Sequence, residues 1–478
     1  MSLGLIGTLE LAKRSLDTNM RGIEVTGHNL ANVSNKAYSR QQLRIETGAT
    51  LPSSNGPVGT GATVSGVSQV RSKLLDTQIL TETSVTGFLE GRQKALEFTE
   101  VNLGQQLDRQ SSTAEGATAA QGIGGQHGLV EGFSDLFNPL QALSTSPAAT
   151  SDRQIVLLEA DSLTNKFNAL DQRFTRLRAD LNTSTTEDIR QADTLITQIA
   201  DLSLSITTDE GKSSTGNSND LRDRRQAQLE QLAELVDFTT TEDTSSGALS
   251  MFVGGVEVIR ADKKIDSLTT LTDANGGIQV QTTSGALPTI STGSIKGIID
   301  SRDGELATIQ SQIDTLAGTL ITVFNTIHGA GTALDGTTTG QPFFTGTKAS
   351  DIQVSAALKA DPNLLQASAN GDPGNNEIVL ALATLGQTPQ AALGNLTFAE
   401  SYNQAVADLG QALNNTNSEL LDQNAVNQML LRQRDSLGGV SIDEEMSNLI
   451  IFQRAFQASA RMVQTMDELL QSVINLGQ

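Results

Sequence analysis

Stepping along the first 33 residues by alternating four and three lands on Leu5, Leu9, Ala12, Leu16, Asn19, Ile23, Thr26, Leu30 and Val33, seven of nine apolar. The last 38 residues carry the same rhythm at Ile442, Met446, Leu449, Gln453, Phe456, Ala460, Val463, Asp467, Leu470, Ile474 and Gly477, eight of eleven apolar. An apolar spacing near 3.5 residues predicts helices that pack lengthwise on another helix. Neither end supplies a second helix to cover its own stripe, so the termini should meet each other, neighbouring copies, or both. The first helix, expected over about Leu3 to Val33, contains Gly4, Gly7, Gly22 and Gly27. Each glycine costs a helix about 1 kcal/mol relative to Ala. Such a helix should be disordered alone and should order on assembly.

Between the ends the pattern changes several times. Residues 34–73 are rich in Gly, Ser and Thr, with strand-like pieces such as Ala62, Thr63 and Val64; helix then returns near Lys73 and runs towards Leu107. The strongest internal signal is Val156, Ala160, Leu163, Phe167, Leu170, Phe174, Leu177 and Leu181, an unbroken four-three series behind an S-x-x-Q capping box at Ser151 and Gln154. Further helices are expected over about Thr186 to Ile206 and Asp220 to Leu235. Period-two alternation then takes over at Leu249, Met251 and Val253, turns at Gly254 and Gly255, and resumes at Val256 and Val258; Asn275 and Gly276 supply another turn. Leu306, Ile309, Ile313, Leu316, Leu320, Val323 and Ile327 restore the helical period up to Gly329. Residues 330–395 read as loop with short elements, and a long helix follows over about Phe398 to Leu437. Gly438 and Gly439 interrupt it as a hinge before a second capping box, Ser441 with Glu444, opens the terminal helix.

The predicted fold is mainly α with a small β insertion: paired long terminal helices, an elongated helical body and an inserted small β domain. The expected domains are 1–45 with 440–478 (terminal coiled coil), 46–239 with 295–439 (helical body) and 240–294 (β-rich outer insertion). With 478 residues and only 3% aromatic, the cores must be aliphatic and Ala-rich. The formal net charge of -22 argues against nucleic acid or an anionic membrane as partner. The absence of cysteine excludes disulfides, Cys-ligated zinc and thiol catalysis. No apolar run approaches the ~20 residues of a membrane-spanning helix, and Gly4, Gly7, Thr8 and Glu10 break up any signal-peptide core, so export by a route that reads no cleaved signal is expected.

Catalytic chemistry is hard to find. His28, His127 and His328 lie far apart and fit no metal pattern; they read as ordinary surface or helix-end residues. The run from Gly122 to Gly128 misses the phosphate-loop pattern because His127 stands at the third glycine position, and no Walker lysine follows. Asp335-Gly336 and Asp372-Pro373-Gly374 read as turns. No enzyme activity, cofactor or metal is expected.

Two end motifs resemble the axial proteins of the bacterial flagellum. Gly27, Asn29, Asn32, Asn35, Ala37, Tyr38, Arg40 and Gln41 look like the rod and hook signature, with Ala37 where that pattern usually has Gly. Gly59 to Val67 is similar to its following β segment, and Val440 to Ala460, containing Asp443, Glu444, Glu445, Asn448 and Phe452, to its C-terminal motif. The middle narrows the resemblance: Asn219, Asp220, Leu221, Arg222, Asp223, Arg224 and Arg225 before a Leu-rich helix resemble the hook-associated protein 1 family, as do the helical stretch 150–206 and Phe343-Phe344. That resemblance implies a structural subunit of the hook–filament junction, exported by the flagellar type III apparatus. It implies as partners other copies of itself in a ring-like layer, the hook subunit, the second junction protein and an export chaperone on the C-terminal helix. The expected assembly residues are Leu5, Leu9, Leu16, Ile23, Leu30, Ile442, Met446, Leu449, Phe456, Val463, Leu470 and Ile474, beside the family-motif residues Asn29, Asn32, Tyr38, Arg40 and Gln41. Alternative readings are another axial protein such as the hook subunit, or a type III-secreted effector.

Overall fold

The computed structural model describes residues 5–52, 56–103, 128–212, 218–243 and 246–476. The chain opens with helix α1 (Leu5–Ala31). An antiparallel hairpin follows, in which β1 (Gln41–Thr47) pairs with β4 (Ala62–Gln69) and the short strands β2 (Thr50–Leu51) and β3 (Val58–Gly59) extend its tip. Helix α2 (Lys73–Asn102) starts at Ser72, whose hydroxyl accepts the Leu75 N–H and satisfies one of the helix's orphan donors. Then come α3 (Leu129–Thr145), α4 (Thr150–Lys212) and α5 (Asn219–Leu235). Strands β5 (Phe238–Glu242), β6 (Leu249–Val253), β7 (Val256–Arg260) and β8 (Lys263–Lys264) form one antiparallel sheet, and β9 (Leu268–Thr272) pairs with β10 (Ile278–Thr282) beside it. Gly254 and Gly255 make the turn between β6 and β7 with φ of 52° and 83°, a backbone that glycine adopts freely.

Helix resumes with α6 (Ser294–Ser301), passes through a π-turn at Arg302–Leu306 and continues as α7 (Ala307–Gly329). The stretch expected to be loop-like carries β11 (Phe344–Thr345), β12 (Gln353–Val354), α8 (Ala356–Ala360) and α9 (Glu377–Leu385). Two long helices close the chain, α10 (Phe398–Gly438) and α11 (Ile442–Leu476). The fold is thus mainly α with a small β insertion, as the periodicities predict.

Helix α4 is the spine. Its 63 residues would span about 95 Å at 1.5 Å per residue. Every member of the series from Val156 to Leu181 is buried, in a core shared with α2, α3, α7, α9 and α10. Further along, Ile189, Ala192, Leu195, Ile196, Ile199 and Ala200 enter a second core with α5, α6 and the β strands. The sequence predicts two helices here, broken near residue 185, because Asn182, Thr183, Ser184, Thr185 and Thr186 are poor helix formers. The helix instead runs through. Thr183, Thr185 and Thr186 each turn their hydroxyl back to the carbonyl four residues earlier, and Asn182 ties down the β9–β10 hairpin through Gly276 O and Ile278 N.

Three further expectations are corrected. The capping box at Ser151 and Gln154 does not form, because the helix already starts at Thr150 and Ser151 lies inside it. Ser441 does stand just before α11, with Glu445 N–H donating to its carbonyl, but the Glu444 carboxylate pairs with Arg40. His328 does stand in the last turn of α7, but it is not on the surface: it is fully buried, with Nδ1–H donating to Gln341 O (2.8 Å) and Nε2 accepting the Gln366 N–H (3.0 Å). Desolvation by burial pushes its pKa down to about 4, so it is neutral in the fold. The Gly122–Gly128 run lies outside the described residues up to His127.

Candidate assembly interface

The two striped ends pair with each other. Helices α1 and α11 lie antiparallel along their length, and four contacts fix their register. Thr8 Oγ1 meets Met466 Sδ at 3.3 Å and Ser15 Oγ meets Ser459 Oγ at 2.7 Å. Gly22 abuts the Phe452 ring so closely that a Cβ there would stand 2.5 Å from Phe452 Cδ1. Asn29 Nδ2 donates to Glu445 Oε2 at 3.1 Å. Each step of seven along α1 is matched by a step of seven back along α11, the mark of a coiled-coil seam.

That seam only partly coincides with the stripes read from sequence. On α11 the covered positions include Glu445, Leu449, Phe452, Phe456, Ser459, Val463, Met466 and Leu470, again spaced four and three, with Asn448, Ala455 and Ala460 half-buried beside them. Leu449, Phe456, Val463 and Leu470 therefore lie in the seam as half-buried residues, whereas Ile442, Met446 and Ile474 stay exposed. On α1, Leu5, Leu9, Leu16, Ile23 and Leu30 are half-buried, and the row that meets α11 is the small, polar set Thr8, Ser15, Gly22 and Asn29. A search for apolar spacing passes over such a row, because its contribution is close approach. The opposite flank of α1 rests on the hairpin: a Cβ at Gly61 would come within 2.9 Å of Leu11 Cδ1, and Arg14 Nη1 donates to Thr60 Oγ1 at 3.3 Å.

Asn29, buried at 1% exposure, is the hub where the pair joins the rest of the chain. Its amide NH2 also donates to Gln41 O (2.9 Å), and its Oδ1 accepts Gln41 N–H (2.9 Å) and Tyr38 O–H (2.8 Å). Arg40 Nε donates to Glu445 Oε1 (2.8 Å) and Arg40 Nη1 pairs with Glu444 (2.7 Å). Asn32, by contrast, caps its own helix end, donating to His28 O at 3.0 Å. Ala37 keeps a negative φ, so no glycine is needed at this point.

The second motif of the middle region faces the first. Gln41 Nε2 donates to Asp220 Oδ1 (2.9 Å), and Ser39 N–H donates to Asp223 Oδ2 (3.2 Å). Arg71 bridges Asp223 (2.9 Å) and Asp76 (2.8 Å), and Asn219 exchanges hydrogen bonds with Val67 O and Gln69. Burial raises the Asp223 carboxyl to about 6 despite the Ser39 N–H and Arg71 that oppose the shift. Burial, together with Asp220, Asp223 and Glu445, pushes the Tyr38 hydroxyl well above its usual 10. The Gly438 carbonyl accepts Arg40 N–H (2.9 Å), and a Cβ on Gly438 would sit 2.4 Å from Val70 O. The glycine expected as a hinge therefore serves as a close-packed joint. Nothing in the linear sequence says that residues 29–41, 219–223, 438 and 445 converge.

Comparison with known proteins agrees with this geometry. The family model described as "Flagellar hook-associated protein FlgK helical domain" matches residues 121–344, and "Flagellar basal body rod FlgEFG protein C-terminal" matches residues 438–476. The curated flagellar hook-associated protein 1 of Bacillus subtilis (strain 168) is 25% identical, covering 98% of this chain and 97% of its own length. That of Escherichia coli (strain K12) is 21% identical, covering 97% and 98%. A solved structure, the flagellar hook junction protein FlgK from Burkholderia pseudomallei, shares the fold with a TM-score of 0.62 at 12% identity, over 76% of this chain and all of that one. A terminal helix pair carried on a helical body defines the class, a structural protein of the flagellar axis. Within it, the chain is similar over nearly its whole length to the flagellar hook-associated protein 1 family. That is a family of junction proteins of the bacterial flagellum, not a family of enzymes.

Proposed function

We propose that this chain is a hook–filament junction subunit that is exported unfolded by the flagellar type III apparatus and assembles with copies of itself through the paired terminal helices. In this reading the terminal pair forms the inner layer of a ring, on the hook subunit and below the second junction protein. The helices of the body form an outer layer, and the β-rich segment 240–294 lies outermost. The absence of cysteine supports passage as an unfolded chain, since no disulfide has to be opened. Among the described residues no helix is long and apolar enough to cross a membrane.

One observation carries the proposal. After the two helices have covered each other, α11 still exposes apolar side chains on both flanks of the seam. One flank holds Ile451, Ala458, Met462 and Leu469, whose spacing of seven, four and seven keeps them on one face. The other holds Met446 and Ile474, exposed at 43% and 62%. Helix flanks this apolar beside a finished pair suit further helices. The occupants in the organelle are neighbouring copies; in the cytoplasm, an export chaperone would cover the same flanks as a helix-in-groove partner.

The test replaces Ile451, Met462 and Leu469 by Asp. These side chains lie outside the seam, so the monomer should keep its helix content and thermal melt. Cells carrying the variant should build hooks without filaments, and the chain should lose any small cytoplasmic partner that co-purifies with the parent. Normal filaments from this variant would refute the role given to the flank.

A further inference from the structure

We propose that Glu445 fixes the register in which the two ends of the chain pair. The α1 side of the seam is a repeat, with Thr8, Ser15 and Gly22 recurring every seven residues, all small. A slide of one heptad would set Ser459 against Thr8 and Phe452 against Ser15, leaving small hydroxyl and apolar contacts of much the same kind. Phe452 would lose the notch at Gly22, but it is only half-buried and its ring has solvent to turn into. Glu445 has no such freedom. Its side chain is 2% exposed, and both oxygens are engaged: Oε2 by Asn29 Nδ2 (3.1 Å) and Oε1 by Arg40 Nε (2.8 Å).

Moved by one heptad, Glu445 would face Gly22, which offers no donor, and Arg40 would lose Glu445 and Glu444 together. A carboxylate held away from water without donors is among the costliest defects a fold can contain, so this single position rejects the slipped pairing. A polar residue placed once in an otherwise repetitive seam is the known physical means of choosing a register. Arg40 and Asn29 are themselves pinned, through Gly438 O and through Gln41 and Tyr38, so Glu445 also sets how far α11 is drawn along the body. The inference concerns the isolated chain, so its failure would leave the assembly reading standing, and the reverse holds too.

The chain has no cysteine, which makes cross-linking clean. Ser15→Cys with Ser459→Cys reports the native register, because the parent hydroxyls are 2.7 Å apart. Thr8→Cys with Ser459→Cys reports the slipped one. In the full-length chain with Glu445 intact, only the first pair should close under mild oxidation. Adding Glu445→Ala should raise the yield of the second by about tenfold or more, and Glu445→Gln, whose amide oxygen still accepts from Asn29, should restore the native pattern. Closure of the first pair alone in the Ala variant would overturn the proposal. Loss of both cross-links there would also overturn it, since Glu445 would then hold the pair together without choosing its register. Slippage in the Gln variant equal to that in the Ala variant would overturn the hydrogen-bonded basis.

Discussion

Gly22 contributes to the seam by lacking a side chain, since Phe452 fills the space a Cβ would take. Gly22→Leu should gain about 1 kcal/mol of intrinsic helix propensity in α1. It should lose more than that by overpacking, which typically costs about 1–3 kcal/mol. The pair should therefore open, seen as faster amide exchange in peptides spanning 445–466 with exchange in α4 unchanged. His328 belongs to the same scale. Its folded pKa of about 4 lies below the usual 6.5, so the unfolded chain binds the extra proton first as pH falls. The stability it confers is complete above pH 6.5, declines as pH falls through that window and is gone below about 4. At 1.36 kcal/mol per pKa unit the loss is about 3 kcal/mol. Denaturant unfolding of the parent and of His328→Gln at pH 7 and pH 4 should show the parent losing that much more. Asp223 works in the opposite sense: raised to about 6, it favours the fold most at low pH and loses that contribution as pH rises through 6.

At the scale of elements, the seam and the flanks of α11 should separate by mutation. Replacing Leu449, Phe456 and Val463 by Asp puts charge into half-buried seam positions. It should unzip α1 from α11, lowering the helical signal and exposing both ends to limited proteolysis while the body stays resistant. The flank substitutions at Ile451, Met462 and Leu469 should leave that proteolysis pattern unchanged. Equal proteolysis of the two variants would mean that the seam has been misplaced. The stripe on α11 was half legible: the row Leu449, Phe456, Val463 and Leu470 follows from apolar spacing. The second row, Glu445, Phe452, Ser459 and Met466, does not, because a carboxylate and a serine count as polar until their partners Asn29 and Ser15 are known.

On the scale of the whole molecule, α4 joins two cores: residues 156–181 in one and 189–200 in the other. A shared rigid helix should make the two cores melt together. Thr185→Pro would remove the helix hydrogen bond that the Thr185 N–H makes and clash with the preceding turn, at about 3 kcal/mol or more. Calorimetry should then show one body transition in the parent and two in the variant. Two transitions in the parent would refute the shared-spine account. The terminal pair is attached to this body mainly at the cluster of Asn29, Arg40, Gln41, Asp220, Asp223 and Glu445, a mount drawn from three distant stretches of chain.

The sequence by itself determined the helical class, the long apolar faces at 156–181 and 306–327, the small β insertion with its Gly254-Gly255 turn, and the axial motifs at the two ends. These are local properties, written in periods of 3.5 and 2 and in turn residues whose backbone needs are intrinsic. Only the tertiary structure decided that α4 is one helix, that Gly438 is a packed joint, and that His328 is buried and neutral. It also decided which faces of α1 and α11 meet. Those outcomes depend on what lies opposite a residue in space. Small and polar side chains carry no signal of their own until a partner four hundred residues away supplies the ring, the carboxylate or the carbonyl they fit.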